Sequence, residues 1–396
     1  MSQASARFDR LQPSDRQAMA GGSGAAELMT ARRAKVRTMP GTDGYSKQEA
    51  KIREAVERVL SRNIAGLKTL EDIAMDFGST PKETIYSRAT TRLYHYTPTC
   101  EEVYRVPVVL VMSLVSRYYI LDLAPGQSLV EYLTNQGFDV YLIDWGIPRL
   151  EHRNLSLDHY VGEVLPECLQ KVHEDSGEPD VALVGYCLGG VLSMMHTALA
   201  PPAQIKALAC FTTPIDTNGM KLYKAWAESE HFDIDTLVDK LGNIPGQMMD
   251  AVLQALRPLQ KTANRMGLLN HVEDDQFVEA HYRFERWSSD QIPMAGATAK
   301  QLFKDFLRDN KFLKNQMEIQ GRRVDLANIR VPFLHIAAQH DHIVPAAASK
   351  GIIDLVASED KEEVILKGGH VSLVAGGNAV YRLWPKLAGW LADRCT

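Results

Sequence analysis

The stretch Val181-Ala-Leu-Val-Gly185-Tyr186-Cys187-Leu188-Gly189-Gly190 sets an apolar strand, a G-x-C-x-G turn and a helix start in succession. That is the context of a nucleophile elbow, a tight turn that exposes one reactive side chain at the top of a sheet. The glycines are needed because the strained turn leaves little room where strand and helix meet. The reactive group here is a thiol. At a helix N-terminus the thiolate is favoured by the dipole and by the free N–H groups of the first turn, so Cys187 can attack an acyl carbonyl at neutral pH. Cys168 falls in an amphipathic helical pattern, Cys210 in a core strand, and Cys100 and Cys395 near the edges of the ordered chain. None of these four has a base signature beside it, and all read as small hydrophobes or peripheral thiols.

An elbow nucleophile needs a base and an acid, which this architecture supplies in the order nucleophile, acid, histidine. The strand Val331-Pro-Phe-Leu-His-Ile-Ala-Ala338 runs into Gln339-His340-Asp341-His342-Ile343-Val344-Pro345, which puts Asp341 at a strand's C-terminal edge, where sites form in open α/β sheets. Asp341 is the expected acid. The loop Lys367-Gly368-Gly369-His370-Val371-Ser372 follows the next strand and makes His370 the expected base. An oxyanion hole needs the N–H after the nucleophile, that of Leu188, and a second N–H from the loop after an early strand, for which Val115 is the expected donor. His340 and His342 flank Asp341 at a spacing that an extended backbone would let chelate a metal, but no further ligand cluster completes such a site, and no metal or cofactor is expected.

Five segments must position these residues. Residues 1–45, rich in Ser, Ala, Gly and Arg, have too little apolar surface to offset the entropy of ordering and read as a disordered tail. Residues 46–90 read as an N-terminal helical segment, with Ile52, Val56, Val59, Leu60, Ile64 and Leu67 at helical spacing. Residues 91–215 alternate apolar runs with amphipathic stretches, the pattern of a parallel sheet covered on both faces. The alternation stops over 216–325, a helical insertion of the length expected of a cap, and resumes over 326–396. The fold class is therefore α/β, a mostly parallel sheet with helices on both faces and a cap: the α/β-hydrolase fold.

Composition narrows the partners. Lys and Arg number 44 against 49 Asp and Glu, so no global positive field exists to hold a nucleic acid. Five cysteines without a C-x-x-C pair fit neither a disulfide framework nor a zinc site and point to a reducing cytoplasm. The longest apolar run, Val106 to Val115, is far short of the ~20 residues of a membrane span, so no transmembrane segment is expected.

Together the G-Y-C-L-G-G elbow, Arg117-Tyr-Tyr-Ile-Leu-Asp-Leu123, Val140-Tyr-Leu-Ile-Asp-Trp-Gly146, Gly242-Asn-Ile-Pro-Gly246, the Asp341-His342 loop and Gly368-Gly369-His370 resemble a polyhydroxyalkanoate synthase over about residues 90–395. The length is similar to that of the short catalytic subunits of the two-subunit classes. The resemblance implies an acyltransferase that polymerises (R)-3-hydroxyacyl-coenzyme A thioesters and releases coenzyme A, acting at the surface of cytoplasmic polyester granules. It implies Cys187 as covalent nucleophile, His370 as base and Asp341 as the triad acid, with a further part for Asp341 in activating the 3-hydroxyl of the incoming unit and His342 as an auxiliary. The implied partners are the growing polyester chain, an accessory second synthase subunit, and a homodimer or hetero-oligomer. A Cys-dependent hydrolase or thioesterase resembling dienelactone hydrolases shares the elbow, and a non-catalytic granule-binding homologue shares the scaffold; product identity and the effect of Cys187→Ala separate the three.

Overall fold

The apolar runs pair into one eight-stranded sheet in a computed structural model that describes residues 77–200, 204–256, 268 and 275–396. The first two strands, β1 (Lys82–Arg88) and β2 (Thr91–Tyr96), form an antiparallel hairpin, and β2 pairs antiparallel with β4 (Val140–Asp144). From there every neighbour is parallel: β4 to β3 (Val108–Val111), then β5 (Val181–Tyr186), β6 (Ile205–Phe211), β9 (Phe333–Ala338) and β10 (Lys361–Leu366). The central strands are Val-, Leu- and Ala-rich along their whole length because helices cover both faces, and every residue of β3, β5 and β9 is buried.

Helices α1 (Leu129–Asn135), α2 (Leu165–Ser176), α3 (Leu188–Leu199) and, at the end of the chain, Trp384–Ala392 flank this sheet. The side-chain oxygen of Ser128 caps α1 by accepting the Glu131 N–H. Gly177, at φ 77°, ends α2 in the left-handed conformation that glycine adopts without strain. Helix α3 is buried almost all round, which a mean composition of Val, Leu, Met and Ala permits; it runs through the centre of the molecule behind the elbow.

Between β6 and β9 the chain leaves the sheet and builds α4 (Lys221–Ala227), α5 (Ile234–Leu241), α6 (Gly246–Leu256), α7 (Asp275–Ser289) and α8 (Gly296–Gln301), then a small ribbon of β7 (Glu318–Ile319) and β8 (Arg322–Arg323). These cap helices rest on the core through buried Trp287, Met294, Phe306 and Phe312.

Two sequence expectations change. The helical reading of residues 46–90 fails at its C-terminal part, where Lys82–Arg88 is an edge strand. Its polar sequence disguises it: the strand faces solvent on one side, while Tyr86 and Arg88 reach Glu167 of α2. The composition of residues 346–356 favours one continuous helix, but the chain forms two short ones, Ala346–Ser349 and Ile352–Leu355, because Gly351 takes φ 88° between them. The expected tail, and the helical positions from Ile52 to Leu67, lie outside the described residues.

Candidate active site

Strand β5 delivers Cys187 to the site. The cysteine sits between β5 and α3 at φ 55° and ψ −119°, a conformation that a non-glycine residue keeps only when its surroundings enforce it. The surroundings do so on two sides: the Cys187 N–H donates to the Phe211 carbonyl of β6 at 3.0 Å, and its own carbonyl accepts from Gly190 N–H at 3.0 Å. The glycines are steric necessities. A Cβ on Gly189 would stand 2.0 Å from the Val111 carbonyl oxygen of β3, and one on Gly190 would stand 2.0 Å from Thr213 Oγ1. Only with both Cβ atoms absent can α3 start hard against β3 and β6.

The loop after β9 brings Asp341, and the loop after β10 brings His370. Their parallel strands are in register, so both loops leave the same edge of the sheet as the elbow. His370 Nδ1 lies 2.7 Å from Asp341 Oδ2, and both residues are buried. The other carboxylate oxygen accepts the N–H groups of Ile343 and Val344, each at 2.8 Å, so the side chain has one orientation. Burial by itself would depress the imidazolium; the Asp341 charge, the facing Cys187 and hydrogen bonds to both outweigh it and raise His370 to about 10. Nucleophile, imidazole and carboxylate thus form one chain of interacting groups with Cys187 at its outer end, 8% exposed.

Such an arrangement suits acyl transfer through a thiolate. A family model described as the alpha/beta hydrolase fold matches residues 113–376, and one described as the N-terminus of poly-beta-hydroxybutyrate polymerase (PhaC) matches residues 53–133. The poly(3-hydroxyalkanoate) polymerase subunit PhaC of Haloferax mediterranei is 35% identical over 346 residues, covering 86% of this chain and 70% of the relative. That of Allochromatium vinosum is 35% identical over 341 residues, 85% of this chain and 95% of the relative, and that of Synechocystis is 33% identical over 341 residues, 84% and 90%. The chain belongs to the poly(3-hydroxyalkanoate) polymerase family.

As a poly(3-hydroxyalkanoate) synthase it is an acyltransferase on an α/β-hydrolase fold. Around Cys187 and His370 the aromatic side chains of the core do the shaping. The Tyr186 ring lies 5.3 Å from that of His370 and is itself stacked on Phe211 at 5.3 Å, a wall that holds the imidazole from behind. From the cap, α4 sends in Tyr223. Burial first, then the neighbouring Cys187 and Asp341, push its phenol up, so it stays a neutral hydroxyl near these groups. Sequence reasoning had no signal for Tyr223, since only the folding of the cap brings it there.

Leu188 N–H is the first of the helix donors that geometry leaves without an intrahelical acceptor. Val115 sits half-buried in the loop after β3, whose preceding residues Val111 and Met112 touch the start of α3. His342 is half-buried one residue beyond Asp341; the hydrogen bonds that fix the carboxylate come from His370, Ile343 and Val344. Among the described residues no group of three or more His, Cys, Asp or Glu side chains is arranged to hold a metal ion, and no helix is long and apolar enough to cross a membrane.

Proposed function

We propose that the enzyme polymerises (R)-3-hydroxyacyl-coenzyme A thioesters through a covalent acyl-Cys187 intermediate. The observation that carries this reading is the Asp341–His370 contact of 2.7 Å, with a strained Cys187 facing the same imidazole. His370, oriented by Asp341, takes the Cys187 proton. The thiolate adds to the thioester carbonyl, and the oxyanion is held by the N–H groups of Leu188 and Val115. Collapse of the tetrahedral intermediate breaks the bond to the coenzyme A sulfur, which leaves as a thiol with the proton from His370. The 3-hydroxyl of the next unit then gives its proton to His370 and attacks the acyl-Cys187 carbonyl. The product is a coenzyme A thioester one unit longer, which can acylate Cys187 again. A thioester intermediate keeps its activation through this exchange, where a serine ester would lose much of it.

No resident cofactor or metal takes part in this scheme. His342 is an auxiliary beside Asp341. The cytoplasmic granule surface, an accessory synthase subunit and a homodimeric or hetero-oligomeric assembly belong to the same proposal through the family resemblance.

The test is thiol release from (R)-3-hydroxybutyryl-coenzyme A with parallel product analysis, with and without an accessory subunit. Release with insoluble polyester, together with an acyl-Cys187 adduct by mass spectrometry and loss of both in Cys187→Ala, is the expected result. Release with only free 3-hydroxy acid, or turnover retained in Cys187→Ala, sinks the proposal.

A further inference from the structure

We infer that Trp287 and Asp290, at the C-terminal end of cap helix α7, are positioning residues for the oxyanion loop, acting through Arg117. The inference rests on the reading above, in which the loop after β3 supplies an oxyanion donor from Val115. That loop is pinned at both ends by indole N–H groups. At its start the core residue Trp145 donates from Nε1 to the Met112 carbonyl at 2.7 Å. At its end Trp287 donates from Nε1 to the Arg117 carbonyl at 3.1 Å, across 170 residues of sequence. Asp290 adds a second grip: its Oδ2 lies 3.3 Å from Arg117 Nε and accepts the Tyr119 hydroxyl at 2.7 Å, while the Arg117 guanidinium lies over the Tyr119 ring, 5.7 Å from its centroid.

The two pins differ in origin. Trp145 follows β4 directly and belongs to the sheet, whereas Trp287 belongs to the cap. Trp287 is buried, and the Asp290 N–H closes the last turn of α7 on the Arg286 and Trp287 carbonyls at 3.1 Å, so the gripping end is held as one body. Only Ser113 to Ser116 lie between the pinned residues, and a segment that short has its peptide orientations set by its anchors. Seating of α7 therefore orients the Val115 N–H, and a cap that is not seated leaves the oxyanion hole with the Leu188 donor alone. Complete loss of one such donor is worth about 10²–10³ in kcat, so loosening it should cost about 10–100-fold.

The experiment compares two reactions of Cys187 in the full chain, for Trp287→Phe and the isosteric Asp290→Asn. Acylation by (R)-3-hydroxybutyryl-coenzyme A, read as pre-steady-state thiol release, develops an oxyanion. Alkylation by iodoacetamide does not: sulfur bonds to a saturated carbon and iodide leaves. Acylation slowed about 10–100-fold with alkylation within twofold of wild type, and KM little changed, is the expected result; a purely structural disturbance would move both reactions. Unchanged acylation, or equal loss in both reactions, overturns the inference. Cys187→Ala separates it from its premise. Thiol release surviving in that variant defeats the nucleophile assignment, whereas an inert Cys187→Ala beside a fully active Trp287→Phe and Asp290→Asn defeats only the positioning role.

Discussion

Replacing Asp341 by Asn tests the wiring of the site with almost no change in shape. The Oδ1 atom accepts two backbone N–H groups at 2.8 Å each, so the side chain keeps its oxygen toward Ile343 and Val344 and turns its new amide NH₂ toward His370. An amide donor 2.7 Å from Nδ1 demands an unprotonated Nδ1, which moves the remaining imidazole proton to Nε2, the nitrogen that must receive the Cys187 proton. The charge is lost too. A carboxylate in contact raises an imidazole by about 1–3 pKa units, or about 1.4–4 kcal/mol, and His370 sits at about 10 with Asp341 as the first of the groups holding it up. In a Ser-His-Asp enzyme the same exchange costs about 10⁴ in kcat through the wrong tautomer. A thiol needs less help than a hydroxyl, so a loss of about 10²–10³ is expected here. The assay is the rate of coenzyme A thiol release, with the His370 ring followed by ¹⁵N NMR across the pH range. The ring should hold its proton toward pH 10 in the wild type and give it up much nearer neutrality in the variant. A variant within tenfold of wild-type kcat, or a His370 titration that does not fall, would refute the tautomer argument.

Three further outcomes follow from the same geometry. Gly189→Ala drives a methyl into the Val111 and Met112 carbonyls at 2.0 and 2.7 Å, which backbone cannot yield to; a loss of about 3 kcal/mol or more should appear as a lower urea midpoint, and an unchanged midpoint would contradict the packing. Cys168, Cys210 and Cys395 are fully buried, and burial raises all three thiols, whereas Cys100 is exposed and Cys187 keeps 8% of its surface accessible. A disulfide reagent should therefore label Cys100 and Cys187 in the native protein before the other three, with one fast site lost in Cys187→Ala. His95 lies 2.8 Å from both Asp139 and Asp175; burial works against its charged form, but the hydrogen bond and charge of Asp139, with Asp175 behind them, raise it overall. Its folded value lies above the unfolded 6.5, so its contribution is full below pH 6.5 and is lost as pH rises through the raised value. Wild type should lose more stability than His95→Gln as pH rises above about 6.5, read from thermal melts, and parallel curves would remove His95 from the account.

Much of the site could be read from the chain because its signals are local. A nucleophile elbow is built by residues adjacent in sequence, and the strand before Cys187 and the glycines after it state both its position and its backbone strain. Asp341 and His370 were legible through chain order and through the apolar strands that precede them. The edge hairpin Lys82–Tyr96 was not, because its first strand packs one side only and its Lys, Glu and Arg break the apolar pattern that marks the buried strands. Gly351 likewise ended a helix that composition alone would have continued.

What the sequence determined by itself is the set of groups and their local setting: a thiol in a strained turn, an acid and an imidazole on successive strand-end loops, and a parallel sheet to carry them, since each depends on a few neighbouring residues and on the period of apolar positions. What only the tertiary structure decided is which distant groups tune that chemistry. The register of β9 and β10 set the 2.7 Å contact, the cap helices brought Tyr223 to the nucleophile, and Trp287 met the Arg117 carbonyl across 170 residues. Hydrogen bonds and charge–charge contacts act over a few ångströms of space, and distance in space between residues far apart in the chain exists only once the core has packed.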